Sequence, residues 1–152
     1  METFMHLLIG TWFICSTNFP MWLKGDKQNP TFHYTLTEKK GKQLLLDKVA
    51  YTKNGKQKSI VGYDYPNPEN DSAFTWRGKG LLSIAKSEWQ VILINEKEGW
   101  AVIHFSQTLF TPEGIDIISR QPRPGKDKLD EIKEIMRQHP VLSKHVSTLK
   151  DL

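Results

Sequence analysis

The side chains best suited to ligand-binding chemistry in this chain are four polar residues at the same strand parity as large apolar side chains. They are Ser16, Tyr34, Tyr63 and His104. A polar group is costly in a dry core unless it is hydrogen-bonded, whereas a ligand pocket uses such groups to orient its ligand. The pattern therefore favours a cavity over the alternative, an interior filled by its own side chains.

His104 is the candidate for acid–base chemistry because it lies mid-strand between Ile103 and Phe105. It is either hydrogen-bonded structurally or a donor to a ligand's carboxylate or carbonyl. The sequence has no Gly-x-Ser-x-Gly motif, no phosphate loop and no paired carboxylates in a strand context. The histidines show no metal-ligand spacing. We therefore expect a non-enzymatic protein without metal or cofactor.

Arg77 and Cys15 are two further candidates for chemistry. Arg77, in Trp76-Arg77-Gly78-Lys79-Gly80, either contacts an anionic headgroup at the rim of a pocket or is a solvated charge near a turn. Cys15 is the single cysteine, so an intramolecular disulfide is excluded. Its parity is opposite to that of Trp12, and no activating base is evident, which predicts an outward, non-catalytic thiol.

Eight short strands and one helix must position these side chains. The strands are predicted over 10–19, 31–38, 43–53, 57–65, 72–78, 88–95, 100–107 and 115–121. Asn54-Gly55 is a hairpin signal, and residues 81–85 either extend the fifth strand or form a bent connection. Asp127 as N-cap and apolar residues at helical spacing predict a helix over about 127–139, followed by a tail over 140–152.

The connection from Phe19 to Pro30 is long for a loop within a compact domain. It contains the apolar run Met21-Trp22-Leu23, which must cover something. We expect a lid over the open end of the fold. The alternative is a loop tip that touches a membrane surface, which the neighbouring lysines would suit.

This order of elements predicts an all-β fold: a closed, eight-stranded, antiparallel up-and-down barrel with the C-terminal helix packed outside. The 152 residues correspond to a single domain over 1–152, with the barrel over about 9–121. The net charge is +4, but the lysines are scattered through turns rather than gathered on one face. We therefore expect no nucleic-acid partner. Because Met1 to Ile9 lacks a basic signal-peptide start, a cytoplasmic location is expected.

Two motifs at opposite ends of the strand region resemble those of a known family. Gly10-x-Trp12 opens the first strand, and Ile118-Ser119-Arg120-Gln121-Pro122 ends the last strand just before the helix. Over about Ile9 to Gln138 the chain resembles the lipocalins, and within them the bacterial outer-membrane lipocalin and apolipoprotein D group. It departs from that group because residues 1–9 show no export-signal pattern and because the chain has a single cysteine. Glu98-Gly99-Trp100 stands where the family has Thr-Asp-Tyr.

The resemblance implies roles for both motifs. Gly10, Trp12 and Arg120 would be structural, with Arg120 lying across the Trp12 ring at the closed end of the barrel. It also implies a binding or transport protein, monomeric or homodimeric, for a small hydrophobic or amphiphilic ligand such as a fatty acid or lipid. Strand parity and the lid then predict the cavity residues Ser16, Trp22, Phe32, Tyr34, Leu46, Tyr63, Trp76, Arg77, Trp89, Val102 and His104. The alternatives are a calycin-type isomerase or hydrolase that uses a cavity histidine, and a haem-binding barrel.

Overall fold

The computed structural model describes residues 3–80, 86–109 and 111–152 of the chain. Residues 81–85, whose strand or loop state the sequence leaves open, lie outside this range. The strands are β1 (Gly10–Thr17), β2 (Gln28–Lys39), β3 (Lys42–Lys53), β4 (Lys56–Asn67), β5 (Asn70–Gly78), β6 (Lys86–Asn95), β7 (Trp100–Phe105), β8 (Gly114–Ser119) and β9 (Lys150–Asp151). The α-helices are α1 (Pro20–Leu23) and α2 (Lys126–Arg137), and the ranges Phe4–Leu8 and Ser143–Thr148 form 3-10 helices.

Eight of the described strands close into an antiparallel barrel. Each strand from β2 to β8 pairs with the next, β8 pairs with β1, and β1 pairs with β2. The predicted all-β up-and-down barrel is confirmed. Strand β9 is an addition, because the end of the predicted tail pairs with the outer edge of β1 through Ser16 and Asp151.

Alternation of apolar and polar side chains determines the two faces of each strand. In β2, Phe32, Tyr34 and Leu36 belong to the interior cluster, whereas Thr31 and His33 lie on the outer face. The β3–β4 turn is the predicted Asn-Gly hairpin turn: both of its residues have positive φ, as a type I′ turn requires. Such two-residue turns hold the register of long neighbouring strands.

Helix α2 packs on the outside of the barrel, as predicted. Its apolar stripe, Leu129, Ile132 and Met136, is buried against outward side chains of β7 and β8. The helix begins at Lys126 after Gly125, so the prediction of Asp127 as N-cap is wrong. Asp127 lies in the first turn instead, where a carboxylate is favoured by the helix dipole. None of the helices in the described ranges has the length and apolarity needed to span a lipid bilayer.

A β-bulge in β1 changes which side chains face the interior. The register with β8 shifts between Ile14 and Ser16. Ser16 then opposes Ile117, which packs under α2, while Thr17 opposes Asp116. The extra residue reverses the alternation. Thr17 rather than Ser16 therefore faces inward at this end of the strand.

Candidate ligand-binding site

One end of the barrel is closed by a cation–π contact between its first and last strands. The Arg120 guanidinium carbon lies 3.7 Å from the centroid of the Trp12 ring. Trp12 is 1% exposed, and its indole N–H donates to the Leu8 carbonyl at 2.9 Å. The structure thus places Trp12 and Arg120 as the two sequence motifs predict. A cation–π contact of this kind contributes about 0.5–2 kcal/mol to the stability of the fold.

Arg120 also satisfies three backbone carbonyls at the closed end. Its two terminal nitrogens donate to the carbonyls of Thr11, Leu7 and Ile9, each at 3.0 Å. Gly10 lies directly beneath this side chain with φ of +110°, and a Cβ there would approach Arg120 Nη1 to 3.1 Å. Only glycine combines that backbone angle with so close an approach. The glycine of the first motif is therefore required by the arginine of the second.

Four predicted aromatic residues do face the interior: Phe32, Tyr34, Trp76 and Trp89 belong to or pack against the interior cluster. Three of them form a stacked row, with ring centroids 5.9 Å apart for Phe32 and Tyr34 and 5.8 Å apart for Tyr34 and Trp89. Phe74 continues the row at 4.7 Å from Trp89. Offset stacking of this kind fixes the wall of the interior.

The long first connection contributes an inward aromatic residue of its own. Trp22, on the short helix α1, is 5% exposed and packs edge-on against Tyr51 with ring centroids 5.9 Å apart. Met21 also packs on the interior cluster, whereas Leu23 is partly exposed. The structure places Trp22 over the interior, as expected of a lid residue.

Three predicted cavity residues, Leu46, Tyr63 and Arg77, lie on the outer face instead. Leu46 opposes Tyr63, which opposes Arg77, and the Lys39 ammonium lies 4.4 Å from the Tyr63 ring centroid. Tyr63, Arg77 and Lys39 line an open surface pocket of about 330 Å³. The parity prediction is wrong here because the run Leu44-Leu45-Leu46 is apolar on both faces, and Leu45 is the residue that points inward.

The predictions for Val102, His104 and Ser16 are also wrong. Val102 packs in the cluster beneath α2. His104 lies on the same outer face of β7, with its ring centroid 5.9 Å from that of His145 in the C-terminal 3-10 segment. Because the helix and the C-terminal segment bury this outer face, its side chains look like interior residues in the sequence. Ser16 is displaced by the bulge in β1.

His104 takes part in an ion-pair network outside the barrel. Its Nε2 lies 2.7 Å from Glu113 Oε2, and His145 Nε2 lies 3.2 Å from Glu113 Oε1. The hydrogen bond from His104 is the main cause that lowers the pKa of Glu113, to about 2, and Lys144 adds to it. The network ties the C-terminal segment to the β7–β8 connection. A cavity histidine for catalysis or haem ligation is therefore not found at position 104.

His104, Glu113 and His145 have ligand atoms within 4.8 Å of one another, the spacing of a metal centre. Asn18 opposes that use. Its side-chain carbonyl accepts the Ile115 N–H at 2.7 Å, so its amide NH₂ donates to His145 Nδ1 at 3.1 Å. The His145 proton then lies on Nε2, the nitrogen that faces Glu113. His104 and Glu113 are therefore hydrogen-bonded to each other, and His145 presents a proton rather than a free lone pair to Glu113, which does not favour a metal ion.

The interior contains three carboxyl groups that sequence reasoning missed. Asp47, Asp64 and Asp116 are 4%, 0% and 1% exposed. Asp64 accepts the Trp89 indole N–H at 2.9 Å and is hydrogen-bonded to Asp47. Asp116 is hydrogen-bonded to the Thr17 hydroxyl. The expectation that no carboxylates are paired is thus wrong, because Asp47 and Asp64 meet across β3 and β4.

Burial sets the protonation of these groups. Burial raises the pKa of Asp47 to about 6, and the hydrogen bond from Asp64 acts in the opposite direction by lowering it. Burial and then the charge of Asp47 raise the pKa of Asp64 well above its usual value, so Asp64 keeps its proton. Burial raises the pKa of Asp116 to about 7, opposed by Thr17. All three carboxyls add to the effect of burial in raising the pKa of Tyr34.

The signal for the missed acids was strand parity. Asp47 alternates with Leu45 and Val49, and Asp116 stands between two isoleucines in a wholly buried strand. Charged residues are almost never fully buried unless they are paired, which makes them natural outward choices in a sequence. Alternation with Leu45 and Val49 places Asp47 inside, whereas Asp116 could be placed only from the register that puts Ile118 in the interior.

Cys15 lies in the β1 bulge, in the cluster beneath α2. Burial, with a smaller contribution from Asp151, raises the pKa of its thiol to about 12. The thiolate is the reactive form. We therefore expect almost no reaction with a disulfide reagent in the native state and rapid stoichiometric reaction in denaturant. A fast native reaction in a thiol-release assay would contradict this placement.

The closed eight-stranded barrel, its sealed end and its external helix define the lipocalin fold. Solved structures share it: cockroach allergen Per a 4 has a TM-score of 0.70 at 12% identity, covering 100% of this chain and 90% of that one. Lobster apocrustacyanin A1 has a TM-score of 0.68 at 13% identity, covering 96% and 77%. The siderocalin Ex-FABP has a TM-score of 0.63 at 13% identity, covering 87% and 86%. No protein-family model and no curated protein sequence matches the chain.

Proposed function

We propose that this protein binds a small hydrophobic or amphiphilic molecule inside the barrel and catalyses no reaction. The observation that carries the proposal is the interior itself. It is sealed at one end by Arg120 and Trp12, walled by stacked aromatic rings, and supplied with buried polar groups of unused hydrogen-bonding capacity. Concave apolar sites with a few polar groups are what ligand pockets have in common.

The comparisons support this proposal in general terms. The siderocalin Ex-FABP is described as functioning through dual ligand specificities. The shared fold supports a ligand-binding role for this chain in the same general sense. An enzymatic role has less support, since the histidine that would act as acid or base lies outside the barrel. Transport within the cytoplasm, by a monomer or homodimer, belongs to the proposal.

A fatty acid is one ligand that the sequence led us to expect. Its carboxylate would be repelled by Asp47 if it were buried beside that group, because like charges in a low-dielectric interior interact strongly. A fatty acid would therefore bind with its chain inside and its headgroup at the open end. Apolar area buried by such a chain stabilises the complex by about 25 cal/mol per Å².

Titration with the neutral fluorescent dye Nile red tests the proposal. We expect saturable binding of one dye per chain in the wild type. Val49→Trp adds an indole inside the barrel, and we expect it to weaken binding about tenfold or more because the ring occupies space that the dye needs. Overpacking of this kind costs about 1–3 kcal/mol of stability. Ala50→Trp is the matched control, because Ala50 is the next residue of β3 and points outward.

The two variants separate an interior site from a surface site. Circular dichroism checks that both are folded. Equal affinities for Val49→Trp and the wild type, or the absence of saturable binding in the wild type, would contradict the proposal. A selective loss in Ala50→Trp would place the site on the outer surface.

A further inference from the structure

The three interior carboxyls have no cationic partner. Among the described residues, none of Asp47, Asp64 and Asp116 forms an ion pair with a lysine, arginine or histidine. One oxygen of each (Asp47 Oδ1, Asp64 Oδ2 and Asp116 Oδ1) accepts no hydrogen bond from the described part of the chain. Buried charges in proteins are ordinarily paired, and an unpaired acceptor costs about 1–3 kcal/mol. Three such acceptors within one barrel leave hydrogen-bonding capacity for a ligand that carries donors.

Aromatic rings adjoin these acceptors. Trp89 donates its N–H to Asp64 and presents its ring to Tyr34 at 5.8 Å between centroids. Tyr34 opposes Asp47 across β2 and β3, and all three carboxyl groups add to burial in raising the pKa of its hydroxyl. Ring faces attract cations, most strongly when water is excluded. Carboxylates and aromatic faces together recognise an organic cation.

The net charge of the group also fits a cation. Asp64 is protonated and donates to Asp47, which leaves Asp47 ionised at neutral pH. Asp116 titrates near neutrality. The titratable groups that face Asp47 are Asp64 from β4 and Tyr34 from β2, and Asp116 from β8 acts on the same Tyr34 hydroxyl. Each of these groups is neutral or negative. A positive ligand would gain from these charges, whereas an anionic headgroup would be repelled.

We propose that the barrel interior binds a small protonated amine, with its ammonium group against Asp47, Asp64 and Asp116 and its apolar body against the stacked aromatic rings. This inference rests on the proposed ligand-binding function and names the class of ligand. A neutral ligand could fill the open acceptors with hydroxyl donors, but it would leave the charge of Asp47 uncompensated. An ammonium supplies up to three N–H donors together with the missing positive charge.

Three probes of nearly equal size separate these classes: phenethylamine, phenethyl alcohol and hydrocinnamate. Calorimetric titration of the full chain at about pH 8 should show the amine binding at least about tenfold more tightly than the alcohol, with the carboxylate weakest. An alcohol or carboxylate that binds as tightly as the amine would overturn the assignment. So would no amine binding in a protein that still binds Nile red. Loss of Nile red binding as well would instead refute the proposed function.

Isosteric variants locate the ammonium group. We expect Asp47→Asn and Asp116→Asn each to weaken phenethylamine binding by about tenfold and to reduce the preference for phenethylamine over phenethyl alcohol by a similar factor. Removing a buried charge should not impair folding. Asp71→Asn is the matched control, because Asp71 is exposed on β5. Unchanged amine affinity in both interior variants would overturn the placement.

The pH dependence gives a second, independent readout. An alkylammonium group keeps its charge well above neutrality, as lysine does with a pKa of about 10.4. Acidification protonates Asp116 and then Asp47, so amine affinity should fall from about pH 8 to about pH 5 while Nile red affinity stays constant. Amine affinity that is flat or rises on acidification would contradict the role of these carboxylates.

Discussion

Replacing Asp116 with asparagine is expected to raise the free energy of unfolding at about pH 8 by about 2–4 kcal/mol. Burial raises the pKa of Asp116 from 3.8 to about 7, so ionising it is unfavourable in the folded state. Asparagine has nearly the same shape and carries no charge. Few substitutions of a buried polar residue stabilise a protein, and this one is expected to do so.

The sign of the pH dependence follows from the same shift. Between the pKa of Asp116 in the unfolded state and its pKa in the folded state, the native protein binds more protons than the unfolded chain. The contribution of Asp116 to wild-type stability is therefore present at acidic pH and is lost as pH rises through about 7. Asp47 acts in the same direction around a pKa of about 6. The advantage of Asp116→Asn should therefore shrink as pH is lowered and be nearly gone at about pH 4.

Urea unfolding of the wild type and Asp116→Asn at several pH values measures this effect. Burial lowers the pKa of His33 and His145, which acts in the opposite direction, but both are unchanged in the variant and cancel in the difference. The exposed Asp71→Asn variant controls for the substitution itself. A variant that is less stable than the wild type at about pH 8, or a difference that grows on acidification, would refute the assignment of a buried, unpaired carboxyl.

Trp12→Ala is expected to lower the free energy of unfolding by about 3–5 kcal/mol, as other buried large-to-small substitutions do. The ring is 1% exposed, carries the Arg120 guanidinium on its face and donates to Leu8. Its loss leaves a cavity, and Arg120 loses its platform. Chemical unfolding followed by circular dichroism measures the change.

Two milder variants divide this effect. Trp12→Phe keeps a ring for Arg120 but removes the N–H donor, and we expect a loss of about 1–3 kcal/mol. Arg120→Lys keeps the charge but loses the planar group that reaches three carbonyls at once, so it should also destabilise. A loss below about 1 kcal/mol for Trp12→Ala would show that this contact does not hold the closed end together.

The closed barrel and its sealed end could be predicted because several independent signals agree. Short strands with turn residues between them, one helix behind them, and the Trp12 and Arg120 motifs at the two ends all require the same topology. The inward face of β2 could also be predicted, because Phe32, Tyr34 and Leu36 alternate with polar residues.

Two of the cavity errors, Val102 and His104, have one cause, which is that both faces of β7 are covered. Helix α2 covers the outside of β7 and β8, so Val102 on the outer face is as apolar as Ile103 on the inner face. A choice between them needs the register, and a single slip reverses a whole strand. The bulge in β1 adds a reversal that no alternation rule contains.

The interior acids escaped prediction for a different reason. Sequence reasoning assigns charged residues to the surface because burying a charge is unfavourable. Asp47, Asp64 and Asp116 are exceptions to that rule, and they lie on three different strands. Departures from local expectation of this kind concentrate at functional sites. Here the departure changes the expected ligand from an acid to an amine.

Indole N–H resonances in a nitrogen-labelled sample test most directly whether the barrel interior receives a ligand. Trp89 donates to Asp64 inside the barrel, whereas Trp100 packs in the cluster beneath α2 near Glu98. On titration with phenethylamine or Nile red, we predict a saturable shift of the Trp89 signal and little change for Trp100. A Trp89 signal that does not move while either compound binds, or a larger shift at Trp100, would contradict an interior binding site.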